Sequence, residues 1–189
     1  MKTLLLVLLL GLVLELSPLY SGEDIEIRIQ EGALHHTSEK NITSFVDYIK
    51  KCAEHFEIEA TIIVVIRSED LEDSPVAQIF KLPKVFTEQE SFVIHVNPSV
   101  LNQPILAEHV AYHEYCHIVV WEKMEDLPKQ VVEFIDDEEL RVERQVYFFV
   151  GSKRYLEFLV KGGFIPDTGE KIDAEKYIEI LQQIFEKTN

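Results

Sequence analysis

Two hydrophobic periods alternate along the chain and lay out its elements in order. Ile25, Ile27 and Ile29 alternate with Glu26, Arg28 and Gln30, the two-residue repeat of a half-buried strand. Thr37 and Ser38 are candidate caps for a helix running to about Phe56. Its apolar face is Ile42, Phe45, Val46, Ile49, Cys52, Ala53 and Phe56. Thr61 to Ile66 is a near-continuous apolar run rich in β-branched residues, which predicts a central strand buried on both faces. The acidic stretch from Ser68 to Pro75 reads as a surface loop. Ala77 to Phe86 reads as a strand interrupted by Pro83, which suits an edge position, because proline cannot donate to a ladder. Ser91 to Val96 is the last strand.

From Pro98 onward the period becomes helical. Asn97-Pro98 and Pro104 bracket a turn, and a helix follows from about Ile105 to Lys123. Leu127-Pro128 breaks it. A long helix is predicted from near Lys129 to Leu159 or Val160, ended by Gly162-Gly163, and an amphipathic helix from Ala174 to Lys187 closes the chain. Strands and one helix first, then helices alone, make an α+β fold: a mixed sheet backed by helices, with a helical C-terminal half. The helix beginning near Ile105 would lie under that sheet, with the edge strand bordering a cleft.

The first residues follow a different pattern. Lys2 precedes an eleven-residue apolar run, Leu4 to Leu14, and Ser17-Pro18 with Ser21-Gly22 supply a breaker and small residues. Residues 1–22 therefore read as a secretory signal peptide cut near Ser21 or Gly22, or as a short membrane anchor, with 23–189 as one domain. Glu15 ends the run short of the ~20 residues a spanning helix needs. Export to a secreted or extracytoplasmic location follows, with the N-terminal segment engaging the membrane during export or as an anchor. No cysteine lies near the cut, against a bacterial lipoprotein. The two cysteines, Cys52 and Cys116, permit one disulfide if their helices are adjacent.

Charge narrows the partners. The 189 residues carry 34 acids against 18 bases, a net charge of −16, which argues against nucleic acid or an anionic membrane surface as a partner. An acidic surface of this kind is ordinarily just solvated, and as a functional signal it favours basic substrates only weakly.

The candidate chemistry lies in the helix after the last strand, at His113-Glu114-Tyr115-Cys116-His117. Histidines four apart share one helix face and can converge on one cation, and the intervening Glu can reach a water there without binding the ion. Apolar flanks, Val110-Ala111 and Ile118 to Trp121, place the motif in a buried helix, where unpaired His and Glu would be costly. Cys116 reads as a small buried residue facing away from the cation rather than as a ligand. A catalytic zinc wants three protein ligands and an open position. No histidine follows His117, and His109 stands about 12 Å from it along the axis at 1.5 Å per residue. The third ligand must then be a downstream carboxylate. On the wheel of the long helix, Glu139 falls inside the apolar face between Ile135 and Val142, and Glu143 at its border. Asp137, Glu138 and Arg141 point away or to the flanks. Glu139 is the candidate ligand and Glu143 the acceptor that would orient a ligand imidazole, with the reverse assignment as the alternative. The plainer reading is a charged helix face with Arg141 and Arg144 as ion-pair partners.

With these residues the chain resembles a zincin metallopeptidase of the gluzincin kind. That group carries H-E-x-x-H on one helix and E-x-x-x-D, or a near relative, on the next. His113, Glu114 and His117 match the first motif, and Glu139 and Glu143 the second, with Glu in place of Asp. It is also similar to small ImmA/IrrE-type metallopeptidases, where a small apolar residue follows the ligand Glu three positions later, as Val142 does. The resemblance spans roughly Ser91 to Val150. It implies a zincin-like fold, one zinc per chain, a peptide or protein substrate, and hydrolysis with Glu114 as general base. Tyr147, Tyr155 and His95 are within imaginable reach of a substrate oxyanion, and the sequence does not choose among them. A non-catalytic zinc-binding or interaction domain of the same scaffold is the alternative.

Overall fold

The structure, a computed structural model, describes residues 17–21, 25–68, 76–83, 90–123 and 138–162, with positions 179, 180, 182, 183 and 185. The chain forms two compact units. One holds the described residues through Lys50 together with Glu59–Asn102, and the other holds Lys51–Ile58 and the described residues from Gln103 onward.

The first unit is built on a five-stranded mixed sheet. Its strands are β1 (Ser17–Ser21), β2 (Ile25–Ile29), β3 (Thr61–Ile66), β4 (Ala77–Lys81) and β5 (Ser91–Val96), in the order β1-β2-β3-β5-β4. β2 pairs parallel with β3 through Ile27 opposite Val64, and β3 pairs parallel with β5 through Val64 opposite Ile94. The outer pairs, β1 with β2 and β4 with β5, are antiparallel. A parallel neighbour needs a long crossover. Between β2 and β3 it contains helix α1 (Glu39–Phe56), on which Ile42, Phe45, Val46, Ile49 and Cys52 are buried. Central β3 carries Val64 and Ile66 with no exposed surface, as its uninterrupted apolar run requires.

β4 is an edge strand and ends at Lys81, before Pro83, which the sequence reading had placed within a strand reaching Phe86. The Leu82 amide still donates to the Ser91 carbonyl at 2.8 Å, and Pro83 has no amide to extend the ladder. Residues 84–89 and the greater part of the acidic loop lie outside the described residues. β1 falls within the stretch read as leader or anchor, so a cut near Ser21 or Gly22 would take this strand from the sheet. Among the described residues no helix is long and apolar enough to cross a membrane, and residues 1–16 are not among them. A short helix α2 (Pro98–Leu101) follows β5, with Asn97 at its N-cap and Pro98 in its first turn, where the missing amide costs nothing.

The second unit is helical. α3 (Pro104–Lys123) is buried over most of its circumference, from Ala107 to Val120, and carries the paired histidines. α4 (Glu138–Val150) and α5 (Ser152–Lys161) replace the single long helix expected from the apolar period. The break is Gly151, at φ 80° and ψ 157°, a conformation open essentially to glycine alone. The apolar period does not register this break, because Tyr155, Leu156 and Phe158 continue a buried face on α5. Residues 124–137, including Leu127-Pro128 and the proposed start of the long helix, lie outside the described residues. So does most of the last predicted helix, whose described positions from 179 to 185 are helical.

Candidate metal centre

His109, His113 and His117 follow one another at four-residue intervals along α3, and α4 presents Glu138, Glu139 and Glu143 to them. His113 is the hub. Its Nε2 lies 3.3 Å from Nε2 of His117 and 3.2 Å from Oε2 of Glu139, while His117 Nε2 lies 3.7 Å from Oε1 of Glu139. Two ligand atoms each about 2.0–2.1 Å from a tetrahedral metal stand ~3.3 Å apart. The His113–His117 and His113–Glu139 pairs have that spacing, and the His117–Glu139 pair, through the other carboxylate oxygen, is wider at 3.7 Å.

The far side of each ring decides where its proton sits. His113 Nδ1 is 2.7 Å from Oε1 of Glu143, and His117 Nδ1 is 2.9 Å from Oε1 of Glu138. Ionised carboxylates only accept, so both Nδ1 atoms donate. In the neutral imidazoles both Nε2 lone pairs then face the same point as the Glu139 carboxylate. Three electron-rich atoms converge there, and a cation relieves their repulsion. In the metal-free protein the carboxylates around His113 favour a second proton on its ring. Burial alone would lower the His113 pKa, but the Glu143 hydrogen bond and the charges of Glu143, Glu114 and Glu139 outweigh it and raise it above the ordinary imidazole value. His117 moves the other way, lowered by burial and by the charge of His113 against the opposing pull of Glu138 and Glu139.

Glu143 is the most constrained acid. Burial would raise its pKa, yet hydrogen bonds from His109 and His113 hold it well below the usual carboxylate range. Tyr155, from α5, donates its hydroxyl to Oε2 at 2.6 Å, and His109 Nε2 lies 3.3 Å from the same oxygen. The hydroxyl of Tyr155 is therefore committed to Glu143. Tyr147 is buried on α4, and His95 lies on β5 in the other unit. A second group, His109, His113 and Glu143, also has spacing that could hold an ion. Its shortest contact, 2.7 Å, is a hydrogen-bond length and is shorter than a tetrahedral edge. The His113, His117 and Glu139 group fits a metal better.

Glu114 follows His113 on the same helix and is buried at 6% exposure. Burial pushes its carboxyl from 4.5 up to about 7, against the pull of His113 and with the help of Glu139. A carboxyl balanced near neutrality can both take up and return a proton at physiological pH.

The structure brings together His113, His117, Glu139 and Glu143 from the sequence reading and departs from it in two places. Glu138, expected to point to the flanks, accepts from His117 and, at 2.9 Å, from the indole N–H of Trp121. Glu139 is not inside an apolar face: its side chain is 64% exposed. Both acids stand in the first turn of α4, and a wheel gives each side chain a direction without the neighbours that pack against it. Trp121 was detectable as the position four after His117. The contact of Tyr155 with Glu143 was not, because Tyr155, considered only for a substrate oxyanion, approaches that carboxylate after the chain turns at Gly151.

Cys52 and Cys116 are both fully buried free thiols, with their pKa pushed up by burial, and neither belongs to a metal-capable group among the described residues. Arg144 donates to the Phe185 carbonyl at 3.0 Å. Compared with protein-family models, curated proteins and solved structures, the chain matches none.

Proposed function

We propose that this chain is a zincin-like zinc metallopeptidase, hydrolysing peptide bonds at the centre formed by α3 and α4. The observation that carries the proposal is the convergence of His113 Nε2, His117 Nε2 and the Glu139 carboxylate within 3.2 to 3.7 Å of one another, with each imidazole Nδ1 engaged by a separate acid. His113, His117 and Glu139 would hold the ion. Zinc, when bound, supplies a Lewis acid that polarises a carbonyl and acidifies a water.

The remaining work falls to the chain. Glu114 accepts the proton of the attacking water and returns it to the leaving amine, a role supported by its buried position next to His113 on α3. Glu143 and Glu138 fix the planes and tautomers of the two imidazoles. Exposure of Glu139 leaves a solvent-facing approach to the site. Export through the N-terminal segment belongs to the same proposal, and the N-terminal sequence of the mature protein tests it.

The test pairs metal analysis with peptide hydrolysis. Purified protein should carry one zinc per chain, and His113→Ala or His117→Ala should abolish it. Glu114→Gln should keep the zinc and lose activity by roughly 10²–10⁴-fold, the usual size of a general acid–base contribution. Protein that binds no zinc refutes the proposal. Zinc bound without any peptidase activity supports instead a non-catalytic zinc domain on the same scaffold.

A further inference from the structure

One oxygen of Glu143 meets His113, and the other is held from two sides. Oε2 takes the Tyr155 hydroxyl at 2.6 Å and lies 3.3 Å from His109 Nε2, while Oε1 lies 2.7 Å from His113 Nδ1. From this geometry we infer that Tyr155 and His109 are positioning residues for the metal site, acting on His113 through Glu143. The inference rests on the zinc reading of the centre.

A glutamate side chain has three rotatable torsions, and a single hydrogen bond to His113 leaves much of that freedom in place. Anchoring the second oxygen removes it, so the first oxygen meets the imidazole in one orientation. The anchors are themselves fixed. His109 stacks on Phe158 of α5, with centroids 4.9 Å apart and planes 15° from parallel. Tyr155 is 3% exposed and meets His109, Tyr147 and Phe185 edge to face. A single carboxylate thus links three helices. α3 gives His109 and His113, α4 gives Glu143, and α5 gives Tyr155 and the ring beneath His109. The loop break at Gly151 matters functionally in this view, because it allows α5 to supply those groups.

A purely structural role for Tyr155 would stabilise the fold and leave zinc affinity alone, so affinity is the deciding measurement. Zinc dissociation constants come from competition with a chromogenic chelator, alongside thermal melts of the metal-free proteins. Glu143→Gln should weaken zinc binding by about 10–100-fold, and Tyr155→Phe, which keeps the ring and loses only the hydroxyl, by roughly three- to tenfold. The double variant Tyr155→Phe/Glu143→Gln should bind no more weakly than Glu143→Gln alone, because the hydroxyl acts only through that carboxylate. His109→Phe keeps the stack on Phe158 and gives an independent reading if Tyr155→Phe does not fold.

The inference is overturned if the unmodified protein binds one zinc while both single-ring variants stay within roughly twofold of its affinity and only melt lower. A Tyr155→Phe loss that persists in full on the Glu143→Gln background overturns it as well. Unmodified protein that binds no zinc is a different result: it removes the metal reading itself.

Discussion

Glu114→Gln should abolish the proposed peptidase activity and make the metal-free protein more stable at alkaline pH. The folded-state pKa of Glu114 is about 7, above the 4.5 of an unperturbed glutamate. A group raised on folding contributes fully below its unfolded value, and that contribution is lost as pH rises through the folded value. Gln cannot ionise and has no such loss. Integrating the linkage relation between pH 5 and pH 8 with these two values gives roughly 2–3 kcal/mol. The stability advantage of Glu114→Gln over the unmodified chain should grow by that amount across the interval. Packing or hydrogen bonding that Gln changes relative to the neutral acid is present at both pH values and cancels, which leaves the ionisation of Glu114 and its coupling to His113. For a chain of this length the difference corresponds to roughly 5–10 °C in melting temperature. Thermal melts of chelator-treated protein, unmodified and variant, at pH 5 and pH 8 provide the assay. A variant whose advantage is the same at both pH values would refute the reasoning, because Glu114 would then not be a buried carboxyl forced to ionise.

Three further outcomes follow from the same geometry. Glu143→Gln should remove stability that is present above pH ~4.5 and lost below it, since this carboxylate's pKa is depressed on folding; acid titration of the metal-free protein by circular dichroism measures it, and an unchanged acid limb counts against the hydrogen-bonded carboxylate. Gly151→Ala should destabilise by about 1–3 kcal/mol through backbone conformation alone, because an added Cβ there meets nothing within 4 Å. In a continuous helix the same change would stabilise, so the sign of the shift in urea unfolding decides. Glu138→Gln should weaken zinc binding less than Glu143→Gln does, because the Glu138 side chain is 49% exposed and water can replace it beside His117; equal losses in chelator competition would contradict that ordering.

Local pattern carried much of the fold. The alternation at Ile25 to Ile29, the unbroken apolar run of β3 and the proline after β4 each state how much of a strand is covered and where it can sit in a sheet. The four-residue spacing of His113 and His117 on a buried helix put both rings on one face before any tertiary contact was known. Elimination then pointed to an acid on the following helix, and Glu139 and Glu143 lie against His113 in the structure.

Other features could not be read that way. Periodicity counts apolar positions and is blind to a single backbone reversal, so it ran α4 and α5 together across Gly151. The helical wheel assigns a direction to each side chain within one helix and does not know what packs alongside its first turn. It therefore turned Glu138 away from His117 and buried Glu139. Sequence by itself determined which residue types could meet a cation and on which helices they ride, because spacing along a helix is a local property. Only the tertiary structure decided which oxygen faces which nitrogen, and that Tyr155 and His109 close on Glu143 from beyond the motif, because those contacts depend on how three helices pack around one carboxylate.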